Sequence, residues 1–198
     1  TAEFAMPGSM KKISLIPKKR KIEHGGTFAT GRRRSKRPLE IDKPLHVILR
    51  SDLAKGRRSL MRNNTLVERN LKKASRRFRI RIYEKAICGN HIHLVMKGRT
   101  RIELQNFFRV IAGHIAQEIL QLYPLQKHER GGAPGVKKGH PKNRRKFWSL
   151  LLYSRIVSWG RDFIAVKNYI IQNVKESLGL IPYQVRKSRF SRLANNSS

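Results

Sequence analysis

The chain is 198 residues long and carries 45 Lys and Arg against 12 Asp and Glu, a formal net charge of +33. Such a chain repels itself unless a polyanion neutralises it, so a nucleic-acid partner is expected. No apolar run approaches the roughly 18 to 20 residues that span a bilayer, since Leu150 to Trp159 is broken by Arg155, and the lone Cys88 excludes a disulfide framework or a cysteine-built zinc site and fits a reducing, cytoplasmic setting.

Thr1 to Ser9 read as a vector remnant ahead of Met10 and lack the apolar segment of a secretion signal. Residues 10–43 are a basic arm with dense charge runs, Lys18-Lys19-Arg20-Lys21 and Arg32-Arg33-Arg34-Ser35-Lys36-Arg37. This arm is expected to be flexible and DNA-seeking, with Arg32, Arg33 and Arg34 on phosphates; the alternative is a solubilising tail. The folded domain is placed at residues 44–180 and a basic tail at 181–198.

Leu45 to Arg50 alternates after Pro44 and predicts a strand, with Arg50 as a further candidate DNA contact. Leu60, Val67, Leu71, Ala74 and Phe78 form the apolar stripe of a helix. Arg79 to Tyr83 and His91 to Met96 then alternate on either side of Cys88-Gly89-Asn90, as a hairpin does. Leu104, Phe107, Phe108, Ile111, Ile115 and Ile119 mark a second helix. Residues 126–146 form a long basic Gly/Pro loop, within which Arg144, Arg145 and Lys146 are candidate phosphate contacts. Phe147 to Ser158 suits a last strand, and Asp162 to Leu178 a last helix that Gly179 and Pro182 end. Arg155 and Arg161 near this helix are further phosphate candidates. The resulting order predicts an α+β fold, a ferredoxin-like split βαβ antiparallel sheet with an additional C-terminal helix.

On a strand, residues i and i+2 share a face, so His91 and His93 present two imidazoles together while Ile92, Leu94 and Met96 point into core. Paired imidazoles can clamp a metal, but histidines this close also occur as surface or satisfied core residues. On the last helix Tyr169 and Asn173 stack four apart, one step from the stripe of Phe163, Val166, Ile170 and Val174. Asn173 would add a third donor to a site that suits Mg²⁺ or Mn²⁺ better than closed structural zinc. His46, on the first strand, is expected to reach such a site in a structural or supporting role, the alternative being direct catalysis. Trp148 and Trp159 either stack on unpaired bases or pack against the sheet.

Asn90-His91-Ile92-His93-Leu94-Val95 resembles the His-hydrophobic-His motif of the HUH endonucleases, and Asn168-Tyr169-Ile170-Ile171-Gln172-Asn173 resembles the tyrosine helix of their single-tyrosine transposases, especially the REP-associated branch. The likeness runs from about Pro44 to Gly179 and takes in Lys43 to Val47, Phe147-Trp148, Ser154 to Val157 and Trp159 to Phe163. Where REP-associated relatives often carry Asn-Pro after the tyrosine, this chain has Asn173-Val174. The resemblance implies a metal-dependent single-stranded DNA endonuclease and strand transferase at the nucleoid. Tyr169 would be the nucleophile, forming a 5′-phosphotyrosine link on hairpin or REP-like DNA. His91 and His93 would be ligands, with Asn173 in the place of the third. It leaves open whether Tyr169 serves its own histidines or those of a partner in a homodimer.

The alternatives are a catalytically inactive basic module that binds hairpin DNA or RNA, and a HUH replication initiator or relaxase. The first would be expected to show aromatic RNP strands if it were RRM-like, and none occurs. Initiators commonly carry a second tyrosine near the first, and here the helix offers only Tyr169.

Overall fold

The computed structural model describes residues 22–31, 35–126 and 146–184. Its centre is the antiparallel pair β2 (Leu45–Arg50) and β4 (His91–Lys97), in register from Leu45 opposite Met96 to Arg50 opposite His91. Alternation sends Leu45, Val47, Leu49, Ile92, Leu94 and Met96 to one face, where all are buried. His46, His91, His93 and Val95 fall on the other.

The aliphatic face is covered by α1 (Asn64–Arg77) and α2 (Arg101–Leu122). Val67, Leu71 and Ala74 come from α1, and Leu104, Phe107, Ile111, Ile115 and Ile119 from α2, as the three- and four-residue spacings predict. Each of these side chains larger than alanine stabilises the fold by roughly 1.5 to 3 kcal/mol through burial. Thr100 and Glu103 close a capping box at the start of α2. The opposite face carries α3 (Arg161–Ser177), whose Val166 and Ile170 pack on Ala86, Cys88, Val95 and Val157. With β3 (Arg81–Ile87), β5 (Tyr153–Ile156) and a short β1 (Glu23–His24), the sheet order is β1-β5-β2-β4-β3 with every pairing antiparallel. Without β1 this is the expected split βαβ sheet.

Several elements differ from expectation. Part of the basic arm is built into the fold: β1 pairs with β5, and Arg37 donates to the Ser154 hydroxyl and to the Leu152 carbonyl at 2.7 Å. Burial there pulls the Arg37 pKa down to about 10. Gly25 makes the approach feasible at φ 80°, because a Cβ would lie 2.0 Å from the Leu152 carbonyl oxygen. The last strand is shorter than Phe147 to Ser158. Phe147 is core, its carbonyl accepting from the Ser51 hydroxyl, and the Trp148 indole donates to Ala112 O of α2 at 2.7 Å, on the α1 and α2 side of the sheet. The long loop lies outside the described residues from 127 to 145.

The first hairpin strand begins at Arg81, because Arg79 adopts φ 51° and turns the chain out of α1. Ile80 N–H bonds to Ser75 O at 2.9 Å and Phe78 N–H to Ala74 O at 3.0 Å, closing a left-handed helix cap at a position glycine usually fills. A bulge between Ile82 and Glu84 follows, and it turns Tyr83 and Glu84 to the α3 side together. Arg79→Gly is therefore expected to raise stability by about 0.5 to 1 kcal/mol. Urea unfolding should show a higher midpoint at an unchanged slope; an equal or lower midpoint would show that the Arg79 conformation carries no strain.

Candidate functional site

His91 and His93 project from the α3-facing side of β4, their ring centroids 4.7 Å apart and nearly perpendicular. His91 Nδ1 lies 2.7 Å from the side-chain oxygen of Asn90, so the carboxamide holds the proton on Nδ1 and the lone pair on Nε2. His93 is only 2% exposed, and its Nδ1 lies 3.2 Å from His46 Nε2. When His93 donates in this contact, it too carries its lone pair on Nε2, and the two imidazoles become chemically equivalent donors.

His46 reaches this position because it sits opposite Val95 in the β2–β4 register and therefore shares the face of His93. Burial, with the positive charge of Arg155 adding to it and Asp162 partly offsetting it, pulls the His46 pKa down to about 3. His46 is thus neutral at physiological pH, a supporting imidazole stacked on His93 at 5.4 Å.

α3 lays Tyr169 across this group. Its ring centroid is 5.4 Å from that of His93 and 6.0 Å from that of His46, edge-on to both. Asn173, one turn later, is buried, and its side-chain amide donates to Tyr169 O at 2.6 Å. That contact uses Nδ2 and leaves Oδ1 as the atom with which Asn173 could ligate. Cys88 joins the two elements: its N–H bonds to His91 O at 2.9 Å and its thiol donates to Asn173 O at 4.0 Å. Among the described residues no group of three or more His, Cys, Asp or Glu is arranged to hold a metal ion.

The remaining predicted residues are dispersed. Arg155 is buried, with its guanidinium 3.1 Å from both carboxylate oxygens of Asp162 in the first turn of α3, instead of facing a phosphate. Asp162 also accepts from Ser158 N–H at 3.1 Å. Arg50 is exposed at the end of β2, 3.8 Å from Asp52, and Arg161 and Lys146 are exposed. Arg32, Arg33, Arg34, Arg144 and Arg145 lie outside the described residues. Sequence reading missed Asn90, Asp162 and Arg37. Asp162 had a visible signal, an acid in the first turn of a helix, but its partner is set by tertiary structure.

The sequence profile of the family described as "Transposase IS200 like" matches residues 44–173. The chain belongs to this family. The match takes in β2, both histidines, Tyr169 and Asn173, and makes the protein a transposase, an enzyme of DNA transposition. Among solved structures it is similar to a REP-associated tyrosine transposase bound to a REP hairpin. That similarity has a TM-score of 0.51 at 14% identity and covers 83% of this chain and 87% of that one. A candidate transposase from Deinococcus radiodurans is also similar, with a TM-score of 0.39 at 12% identity over 72% of this chain and 98% of that one. No curated protein sequence matches. Among the described residues, no helix of this transposase is long and apolar enough to cross a membrane.

Two outcomes follow from the geometry. His46 titrates near 6.5 when unfolded and about 3 when folded, so between these values the unfolded chain holds more protons and stability falls as pH drops. Urea midpoints measured at about pH 7 and about pH 5 should fall less in His46→Asn than in the parent; an equal fall would remove His46 as the cause. Asp162→Ala would strand the buried Arg155 cation and is expected to lower stability by about 2 to 3 kcal/mol. This lies below the range for a wholly buried pair because the Asp162 side chain stays 29% exposed. A loss under about 0.5 kcal/mol in chemical denaturation would show that water reaches Arg155.

Proposed function

We propose that this transposase nicks and rejoins single-stranded DNA by attack of the Tyr169 hydroxyl on a backbone phosphate, at hairpin or REP-like sequences, with a divalent cation. The catalytic domain is residues 44–180, flanked by basic segments that add affinity for DNA. The observation that carries the reading is the placement of Tyr169 edge-on to His93, 5.4 Å between centroids, by a helix of the same chain. Two elements far apart in sequence bring a tyrosine beside two histidines, which supports this reading.

The donor set fits Mg²⁺ or Mn²⁺ held by Nε2 of His91 and His93 with Oδ1 of Asn173, with open positions for phosphate oxygen. Such an ion, when bound, supplies Lewis acidity toward the phosphate oxygen. Asn90 orients His91, and neutral His46 positions His93 without adding a charge beside it. A tyrosine hydroxyl is a poor nucleophile at its ordinary pKa near 10, so position and electrostatics must supply the activation. As the Tyr169 oxygen bonds to phosphorus, the 3′ oxygen departs and takes a proton to become the free 3′-OH. The phosphotyrosine link keeps the bond energy, so another 3′-OH can reverse the step without a nucleotide cofactor. Because Tyr169 meets its own chain's histidines, the geometry favours action within one chain. The REP hairpin in the similar structure supports the same substrate class here.

With Mn²⁺ and hairpin DNA carrying single-stranded flanks, the wild type is expected to form a covalent adduct stable to denaturation. Tyr169→Phe, which removes only a hydroxyl, should form none; an adduct from this variant would assign the nucleophile elsewhere. His91→Ala and His93→Ala should slow adduct formation by about a hundredfold while DNA affinity changes by less than about threefold, since phosphate contacts dominate binding. Mixing Tyr169→Phe with His91→Ala protein should restore nothing; restored cleavage would mean that the tyrosine acts in a partner's site.

A further inference from the structure

The α3-facing side of the sheet carries a second group of side chains that the chemistry at Tyr169 leaves unused, at the end of β4 remote from His91. Trp159 sits there in the turn between β5 and α3 and is 48% exposed. Its indole N–H donates to Asp42 O at 2.9 Å, which fixes the ring. Tyr83 meets it edge-on at 5.7 Å and Phe163 packs at 5.0 Å, so the indole is clamped in place rather than mobile. The bulge in β3 is what turns Tyr83 to this side.

Cations frame the aromatic group. Lys97 Nζ stands 5.8 Å from the Trp159 ring centroid and Arg81 Cζ 5.1 Å from that of Tyr83, the two residues being opposite each other in the β3–β4 register. Arg161 is exposed two residues beyond Trp159. Of the neighbouring acids, Glu84 and Asp162 pair with Lys167 and Arg155, and Asp42 meets the indole through its backbone carbonyl. An indole with only a core role would be buried, whereas this one is rigid, half open to solvent and has Lys97 over its ring. Interfaces that bind protein are depleted in lysine at their centres. Rigid aromatic faces beside cations instead suit unpaired bases, the ring stacking on the base while lysine and arginine meet the adjoining phosphates.

We propose that Trp159, with Lys97 and Arg81, forms a stacking site for one unpaired base of the single-stranded DNA flanking the hairpin. It lies just before α3, whose first residue is roughly 12 Å along the helix axis from Tyr169, within a few nucleotides of a strand seated at the tyrosine. A duplex cannot use the site, because its base faces are already stacked. The inference rests on the single-stranded substrate proposed above and adds to it a contact that reads strandedness rather than sequence.

The chain has two tryptophans, so Trp148→Phe makes Trp159 the only indole reporter. In this protein, also carrying Tyr169→Phe to prevent reaction, an oligothymidylate at saturation should quench the indole emission by about half or more, as stacking does. A duplex of the same length should leave emission nearly unchanged. In the Tyr169→Phe background at high salt, Trp159→Ala should weaken oligothymidylate binding about tenfold and duplex binding less than twofold, while Trp159→Phe stays within about threefold. Absent quenching at saturation, an equal loss on both DNAs, or no loss would each overturn the stacking site. Adduct formation by wild type separates the two readings: an adduct with a silent Trp159 sinks only the stacking site, and quenching without any adduct sinks only the tyrosine chemistry.

Discussion

The site depends first on the alternation of β4. Ile92, Leu94 and Met96 are buried against the helices on one side, and that burial leaves His91, His93 and Val95 no choice but the other. A slip of one residue would send the imidazoles into an aliphatic core and the aliphatics toward solvent, a change opposed by several buried side chains at once. The chemical face is therefore held by hydrophobic packing that never touches it. The same logic brings His46 beside His93, because β2 is locked to β4 by its own Leu45, Val47 and Leu49.

The tyrosine side is held differently. Arg155 on β5 and Asp162 in the first turn of α3 form a partly buried ion pair across the turn that contains Trp159 and Gly160. Such pairs contribute little net stability over an apolar replacement, but losing one partner is strongly unfavourable, so they specify an arrangement more than they strengthen it. Here the arrangement is the angle at which α3 leaves the sheet, on which the approach of Tyr169 to His93 depends. The positive charge of Arg155 also helps hold His46 neutral. A single pair thus bears on both the helix that carries the tyrosine and the imidazole that supports its neighbour.

Charge and the proposed chemistry are separated in this protein. The net charge of +33 accounts for attraction to any nucleic acid and makes binding salt-dependent, yet the proposed site consists of two histidines, a tyrosine and an asparagine, with no Lys or Arg among them. Membership of the IS200-like transposase family is consistent with that separation, since folds of this kind carry their function in a small constellation and not in the sheet itself.

From sequence alone the chain determined its binary patterns: the register face of His91 and His93, the stripes of all three helices, and the strand Leu45–Arg50, whose bounds match those observed. These are local consequences of periods of 2 and 3.6 residues, and the spacing of the histidine pair from Tyr169 was legible for the same reason. Tertiary structure decided what period cannot encode. Whether Arg155 meets phosphate or Asp162, and whether His46 touches His93, depends on strand order and helix placement. So does the fate of Arg37, whose charge run reads as arm but whose guanidinium is bonded to Ser154 and Leu152. The bulge that turns Tyr83 toward Trp159 and the left-handed Arg79 carry no residue signature, because neither position holds the glycine that commonly marks such backbone. Trp148 and Trp159 look alike in sequence, and only the fold places one on the α2 side of the sheet and the other, half exposed, beside Lys97.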